Sequence, residues 1–124
     1  MSVTLTFVAP PPGLEPLLDF DLDTVDGAVG LYAMHATEDA QKRLYVLDAG
    51  IHLREYTPFI SDEQCAVLGL TDPEDAMVLV VVNPAASGTT VNLMAPIVVN
   101  TTSGIGAQLI LEGQDWPLRA ELAA

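Results

Sequence analysis

Thr89-Thr90-Val91-Asn92-Leu93-Met94-Ala95-Pro96-Ile97-Val98-Val99-Asn100 is apolar and strand-forming, yet it carries two asparagines and a central proline. Proline cannot donate to a strand ladder, so Pro96 marks an edge, bend or bulge between Met94 and Ile97. Asn92 and Asn100 then read as side chains that hold the backbone at that bend, bonding main-chain groups the bend leaves unpaired. The stretch lies inside a tract without Asp, Glu, Lys or Arg, residues 76–111. Asn83, Pro84, Ser87, Gly88, Asn92, Pro96, Asn100 and Gly104 divide that tract into strand-length runs, too short for a membrane helix. It reads as the core of a β domain.

Working outward, residues 77–82 form a continuous apolar run, the pattern of a strand buried on both faces. Residues 83–88 are a turn, with 90–94 returning as a partner strand. Residues 97–100 and 107–111 pair across a turn over 101–106. Toward the N-terminus, Val3, Leu5 and Phe7 alternate with Thr4 and Thr6 in a first strand ending at Ala9, and Pro10 to Gly13 make a stiff spacer turn. Leu18, Phe20 and Leu22 alternate with Asp19, Asp21 and Asp23, a strand with one solvated carboxylate face. Two more strands, one carrying Val29, Leu31 and Ala33 and the other spanning 44–47, are joined by a charged loop. Asp48, Ala49 and Gly50 break the second of them, and an irregular segment follows with Arg54, Glu55, Tyr56, Pro58 and Phe59. Aromatics beside carboxylates suit either an interface or a core cap, and the cap is preferred because amphipathic rings close barrel ends. Ser61 to Gln64 spell a capping box, starting a short helix that holds a buried Cys65 and stops near Gly69. Trp116, Pro117 and Leu118 close the chain before a frayed Ala123 and Ala124. The expectation is a mainly β, single-domain (1–124), antiparallel β-barrel-like fold with one short helix.

Composition excludes several functions. Seventeen acidic residues against four basic ones give a net charge of −13. Nucleic-acid binding needs clustered cations, and Lys42, Arg43, Arg54 and Arg119 are scattered, so the charge reads first as a solubility surface over an apolar interior and second as a field that steers basic partners. The N-terminus lacks the basic and apolar regions of a signal peptide, and the single cysteine fits a reducing compartment, so a cytoplasmic location is expected. Asp19, Asp21 and Asp23 open like a calcium loop, but Thr24 and Gly30 stand where such a loop needs glycine and glutamate. His35 and His52 lack ligand companions, and no nucleophile motif or Walker loop occurs. Neither metal nor cofactor is expected. The remaining rival is a small-molecule-binding barrel or small barrel enzyme, with a site at the barrel mouth around His35 or His52 and nearby acids.

Asn92, Leu93, Ala95, Pro96, Ile97, Val98 and Asn100, followed by Gln108 and the apolar 109–111, resemble the flagellar assembly factor FliW family. Its pattern is Asn-Leu-x-Ala-Pro-apolar-apolar-x-Asn, a short turn, then Gln and a strand. Phe7, Leu31, Tyr32, residues 44–48 and Tyr56 continue the likeness in order. The chain departs from the family at Asp48-Ala49, where Asp-Pro is usual, and at Pro10 to Leu14, which replace a glycine-rich N-terminal segment. The resemblance implies a cytoplasmic β-barrel without enzymatic activity, binding flagellin and the RNA-binding carbon storage regulator CsrA. It implies a chaperone-like translation regulator that antagonises CsrA away from its RNA surface, with flagellin as competitor. Direct contact with nucleic acid or membrane is not expected, and the free protein is expected to be a monomer. Asp48, Glu55, Tyr56 and Phe59 are the residues expected to touch a partner, with Asn92, Pro96 and Asn100 shaping the sheet edge.

Overall fold

The alternation at the N-terminus folds as β1 (Ser2–Phe7), antiparallel to β2 (Asp19–Thr24). Leu5 lies opposite Phe20 and Val3 opposite Leu22. β3 (Leu31–Ala36) and β4 (Arg43–Asp48) extend this meander. The structure, a computed structural model, describes residues 2–11, 14–39, 41–53, 55–84, 88–111 and 113–121. Part of the proline turn (Pro12, Gly13), Arg54, the middle of the 83–88 turn, and Ala123 and Ala124 lie outside the described residues.

Closure depends on β5 (Ala76–Asn83), which pairs with β4 along residues 79–82. Its other edge is shared by β7 (Ile97–Asn100) and β6 (Thr90–Val91). β8 (Ile105–Gln108) runs antiparallel to β7 and parallel to β1, with Thr6 opposite Ile105 and Phe7 opposite Gly106. The ring β4-β3-β2-β1-β8-β7-β5 returns to β4 and is a closed seven-stranded barrel, while β6 and β9 (Ala120–Glu121) continue outside it. The expected β-barrel is therefore present, antiparallel but for the β1–β8 seam.

Among the described residues two short α-helices occur rather than one. α2 (Asp62–Leu68) has the expected capping box, with Ser61 and Gln64 bonding each other's backbone. Gly69 ends it at φ 68°, a left-handed conformation natural to glycine. α1 (Ala49–His52) is the unforeseen one, a single turn started by Asp48, whose carboxylate accepts from the Gly50 amide at 2.9 Å. One turn is too short to show helical periodicity.

Apolar side chains form three cores. Leu5, Phe7, Phe20, Leu22, Met34, Val46, Leu79, Ile97 and Val99 fill the barrel interior, with Phe7 and Phe20 edge-to-face at 5.3 Å. Outside the ring, Leu47, Val80, Val91 and Leu93 pack with Tyr56 and Trp116. A third cluster, Leu68, Val98 and Ala107, lies under α2. The apolar run of β5 follows directly, because Leu79 points inward while Val78 and Val80 serve the outer clusters.

The opening stretch is a large bulge. Leu79 faces Ile97 and Val82 faces Val91, so two residues of β5 (80 and 81) oppose five (92–96). Asn92 Oδ1 accepts from the amides of Met94 and Ala95 at 3.0 and 3.1 Å. The amides of Asn92 and Leu93 donate to Val81 and Pro117. Each carbonyl from Leu93 to Pro96 receives its own donor: Tyr56 hydroxyl, Leu111 amide, Gln108 side-chain amide and Leu109 amide. Asn100, 6% exposed, donates Nδ2 to the carbonyls of Leu68 and Gly69 and accepts from Thr102, tying α2 to the barrel. Asn100→Ala, which strands these buried groups, is expected to cost about 2–3 kcal/mol, and Asn92→Ala about 1–2 kcal/mol. Urea unfolding checks both; an Asn100→Ala protein with the wild-type midpoint refutes the tie.

Candidate functional site

The outer face of the β2–β5 sheet has two halves. On β2, Asp19 and Asp21 accept from the hydroxyls of Thr6 and Thr4, and His35 on β3 sits 3.4 Å from Asp23 and 3.7 Å from Asp21. This half is the solvated carboxylate face. The other half, on β4 and β5, is apolar and needs cover, which Ala49 of α1, Leu53, Tyr56, Trp116 and Ala120 supply.

Asp48 is held by its cap and by a backbone bond from its amide to Gly30 O at 2.7 Å. His52, ending α1, bonds Val29 O through Nε2 at 2.6 Å. Gly30 makes room for that ring: a Cβ there would lie 2.8 Å from Nε2, and its φ of +83° suits glycine. His52 is thus a strut between α1 and the β2–β3 turn, and His35 belongs to the acidic face. The barrel interior is filled with side chains.

Tyr56 turns its ring onto Trp116, edge-to-face at 4.7 Å, and its hydroxyl onto Leu93 O. It caps the outer core and braces the bulge. Burial pushes its hydroxyl pKa well above the ordinary phenol value. Phe59, three residues on, is 68% exposed. Its backbone is nevertheless clamped: the amide donates to Gln114 Oε1 at 2.9 Å and the carbonyl accepts from Gln114 Nε2 at 3.0 Å. The same Oε1 accepts from the Trp116 indole at 3.2 Å, so one glutamine fixes both the exposed ring's backbone and the buried ring.

Glu55 and Phe59 are exposed and Asp48 and Tyr56 half-buried, and Tyr56 lines one cleft with Ala49 and Gly50 of the helix that Asp48 caps. Asn92 is half-buried and linked to them through the Tyr56–Leu93 bond; Pro96 and Asn100 are buried and act on the surface only through backbone shape. Gln114 and Trp116 were not expected to take part. A clamp spanning 55 residues has no local pattern to betray it. Cys65 is half-buried rather than buried, because α2 turns it toward a cleft.

Several clefts lie on the outside of the ring. One, about 660 Å³, is lined by residues that include Leu31, Tyr45, Leu47, His52 and Val82. Two others, about 350 and 490 Å³, flank residues 56–60. Among the described residues no group of three or more His, Cys, Asp or Glu is arranged to hold a metal ion, and no helix is long and apolar enough to cross a membrane.

These features define a small closed β-barrel with a packed interior and its clefts on the outside. The pattern of the FliW protein family matches residues 2–122. The flagellar assembly factor FliW of Clostridium kluyveri is 31% identical over 113 residues, 90% of this chain and 78% of that protein. That of Thermosipho africanus is 30% identical over 122 residues, 96% and 84% of the two chains. A crystal structure of the flagellar assembly factor FliW shares the fold, with a TM-score of 0.89 over 98% of this chain and 86% of that one at 21% identity. The chain belongs to the FliW family of flagellar assembly factors, as the 92–108 stretch led us to expect.

The raised Tyr56 pKa has a definite sign. The unfolded chain loses this proton at about pH 10, before the folded one does, so the stability contributed by Tyr56 is whole below that pH and falls above it. Tyr56→Phe is expected to cost about 1–2 kcal/mol at neutral pH by leaving Leu93 O without its donor. The gap between wild type and variant should narrow above about pH 10. Thermal melts from pH 8 upward check this, and a gap that widens there refutes it.

Proposed function

We propose that this protein is a non-enzymatic, cytoplasmic regulator of flagellin production that works by protein–protein contact. It binds flagellin and the RNA-binding regulator CsrA, holding CsrA away from its RNA target until flagellin competes it off. Family membership carries this reading, since the relatives are named flagellar assembly factors. Charge is compatible with it: a protein of net charge −13 repels RNA and attracts a basic RNA-binding protein. The surface is compatible too. An exposed aromatic on a fixed backbone loses little further freedom on binding, which favours it as an anchor.

Calorimetry of the purified protein against flagellin and CsrA from the same organism tests the reading. Binding to at least one is expected, and no heat at partner concentrations on the order of 10 μM overturns it. Phe59→Ala is expected to weaken binding about ten-fold or more while leaving the melting temperature within about 2 °C of wild type, because the side chain removed is exposed.

A further inference from the structure

Residues 113–121 form a strap laid over the outer core. It starts past Leu111, which is buried and pinned to the barrel wall by its amide on Met94 O at 2.8 Å. Gly113 follows at φ +77°, with nothing within 4 Å of the place its Cβ would take, so the root of the strap is an open glycine. No residue of the strap is buried: Gln114, Trp116 and Ala120 are half-buried and the others exposed. Among the described residues, four features tie it down. Gln114 bonds both backbone groups of Phe59, Trp116 packs edge-to-face on Tyr56, Pro117 O accepts from the Leu93 amide, and β9 pairs with Thr90 and Val91. The seven-stranded ring closes without any of them.

We propose that the strap is a latch: from Gly113 onward it opens as a unit while the barrel stays intact, and its closed position fixes the presentation of Phe59. The inference rests on the reading of Phe59 as a partner anchor, and deepens it by naming what controls that anchor. An element that gives no strand to the ring and no buried side chain to a core leaves at a lower cost than unfolding of the barrel. Leaving is still uphill, because Val91 and Leu93, which Trp116 and Ala120 cover, are then exposed to water. The open form is therefore a minority. In it Phe59 loses both bonds to Gln114, whereas the Tyr56 hydroxyl keeps Leu93 O, a bond in which the strap takes no part. A partner that grips a fixed Phe59 favours the closed strap, and by linkage the closed strap favours that partner by the same factor.

Amide hydrogen exchange of the full chain, followed residue by residue, tests the latch without a partner. The amides of Phe59 and Leu93, whose acceptors lie on the strap, are expected to be at least about 100-fold less protected than those of Thr6 and Phe7, whose acceptors are Gly104 and Leu18. Two variants separate opening of the strap from unfolding of the barrel. Val46→Ala, in the barrel interior, weakens the barrel whether the strap is open or closed, so it should speed Thr6 and Phe7 about ten-fold or more and Leu93 less than about two-fold. Gln114→Ala should speed Leu93 about ten-fold although Gln114 does not bond it, because the strap moves as one piece. Equal protection of the four amides, a Leu93 that follows Thr6 and Phe7 in Val46→Ala, or a Leu93 unmoved by Gln114→Ala each overturn the latch. Flagellin or CsrA, whichever binds, should slow Leu93 exchange about 100-fold when free partner stands at about 100 times its Kd. Binding that leaves Leu93 exchange unchanged overturns the coupling to Phe59. If neither partner binds, the regulatory reading falls, and the exchange rates of the free protein and its two variants still decide the latch.

Discussion

A buried backbone must have all its polar groups paired, and residues 92–96 meet that demand in the least regular part of the barrel wall. Three residues more than the opposing strand requires are accommodated there. Four carbonyls in succession, Leu93 to Pro96, are each met by a different donor, drawn from residues 56, 108, 109 and 111. Asn92 satisfies the two amides nearest the bend, and proline occupies the position that has no amide to satisfy. The bulge thus joins the wall of the barrel, the segment beneath the exposed aromatics and the C-terminal strap in one hydrogen-bonded network.

That network accounts for the residue types found along the 92–108 stretch of this chain. Asn92, Ala95, Pro96, Asn100 and Gln108 are the residues that shape or brace the bulge and tie down α2. A serine in place of Asn92 would be too short to span two amides as readily, and an apolar residue in place of Gln108 would leave Ala95 O without its donor. In this chain these residues are solutions to backbone pairing. The residues that meet solvent around them are less constrained by such pairing, since water can partner them.

Period-two alternation made β1 and β2 legible because each has one dry and one wet face. The run 77–82 was legible as a doubly buried strand for the opposite reason: both of its faces meet apolar neighbours. What escaped was whatever depends on a distant partner. The strand expected over 90–94 stops at Val91, since Asn92 diverts the chain into its turn. α1 is one turn anchored by a cap and by His52, and β9 is two residues paired with β6. In the candidate surface, Glu55, Tyr56 and Phe59 stood out as aromatics beside an acid, but the glutamine that immobilises Phe59 lies 55 residues away and carries no local mark. The two histidines resolve into structural parts, one bonded to a turn carbonyl and one set among carboxylates.

The parallel seam between β1 and β8 brings Thr6 and Phe7 against Ile105 and Gly106, nearly a full chain length apart. A polypeptide emerging from the ribosome cannot close this barrel until its hundredth residue or so is free, and it cannot immobilise Phe59 until Gln114 follows. Contacts of such long span make for late, cooperative closure. A chain that lacks these distant residues therefore has neither the β1–β8 seam nor a fixed Phe59 backbone.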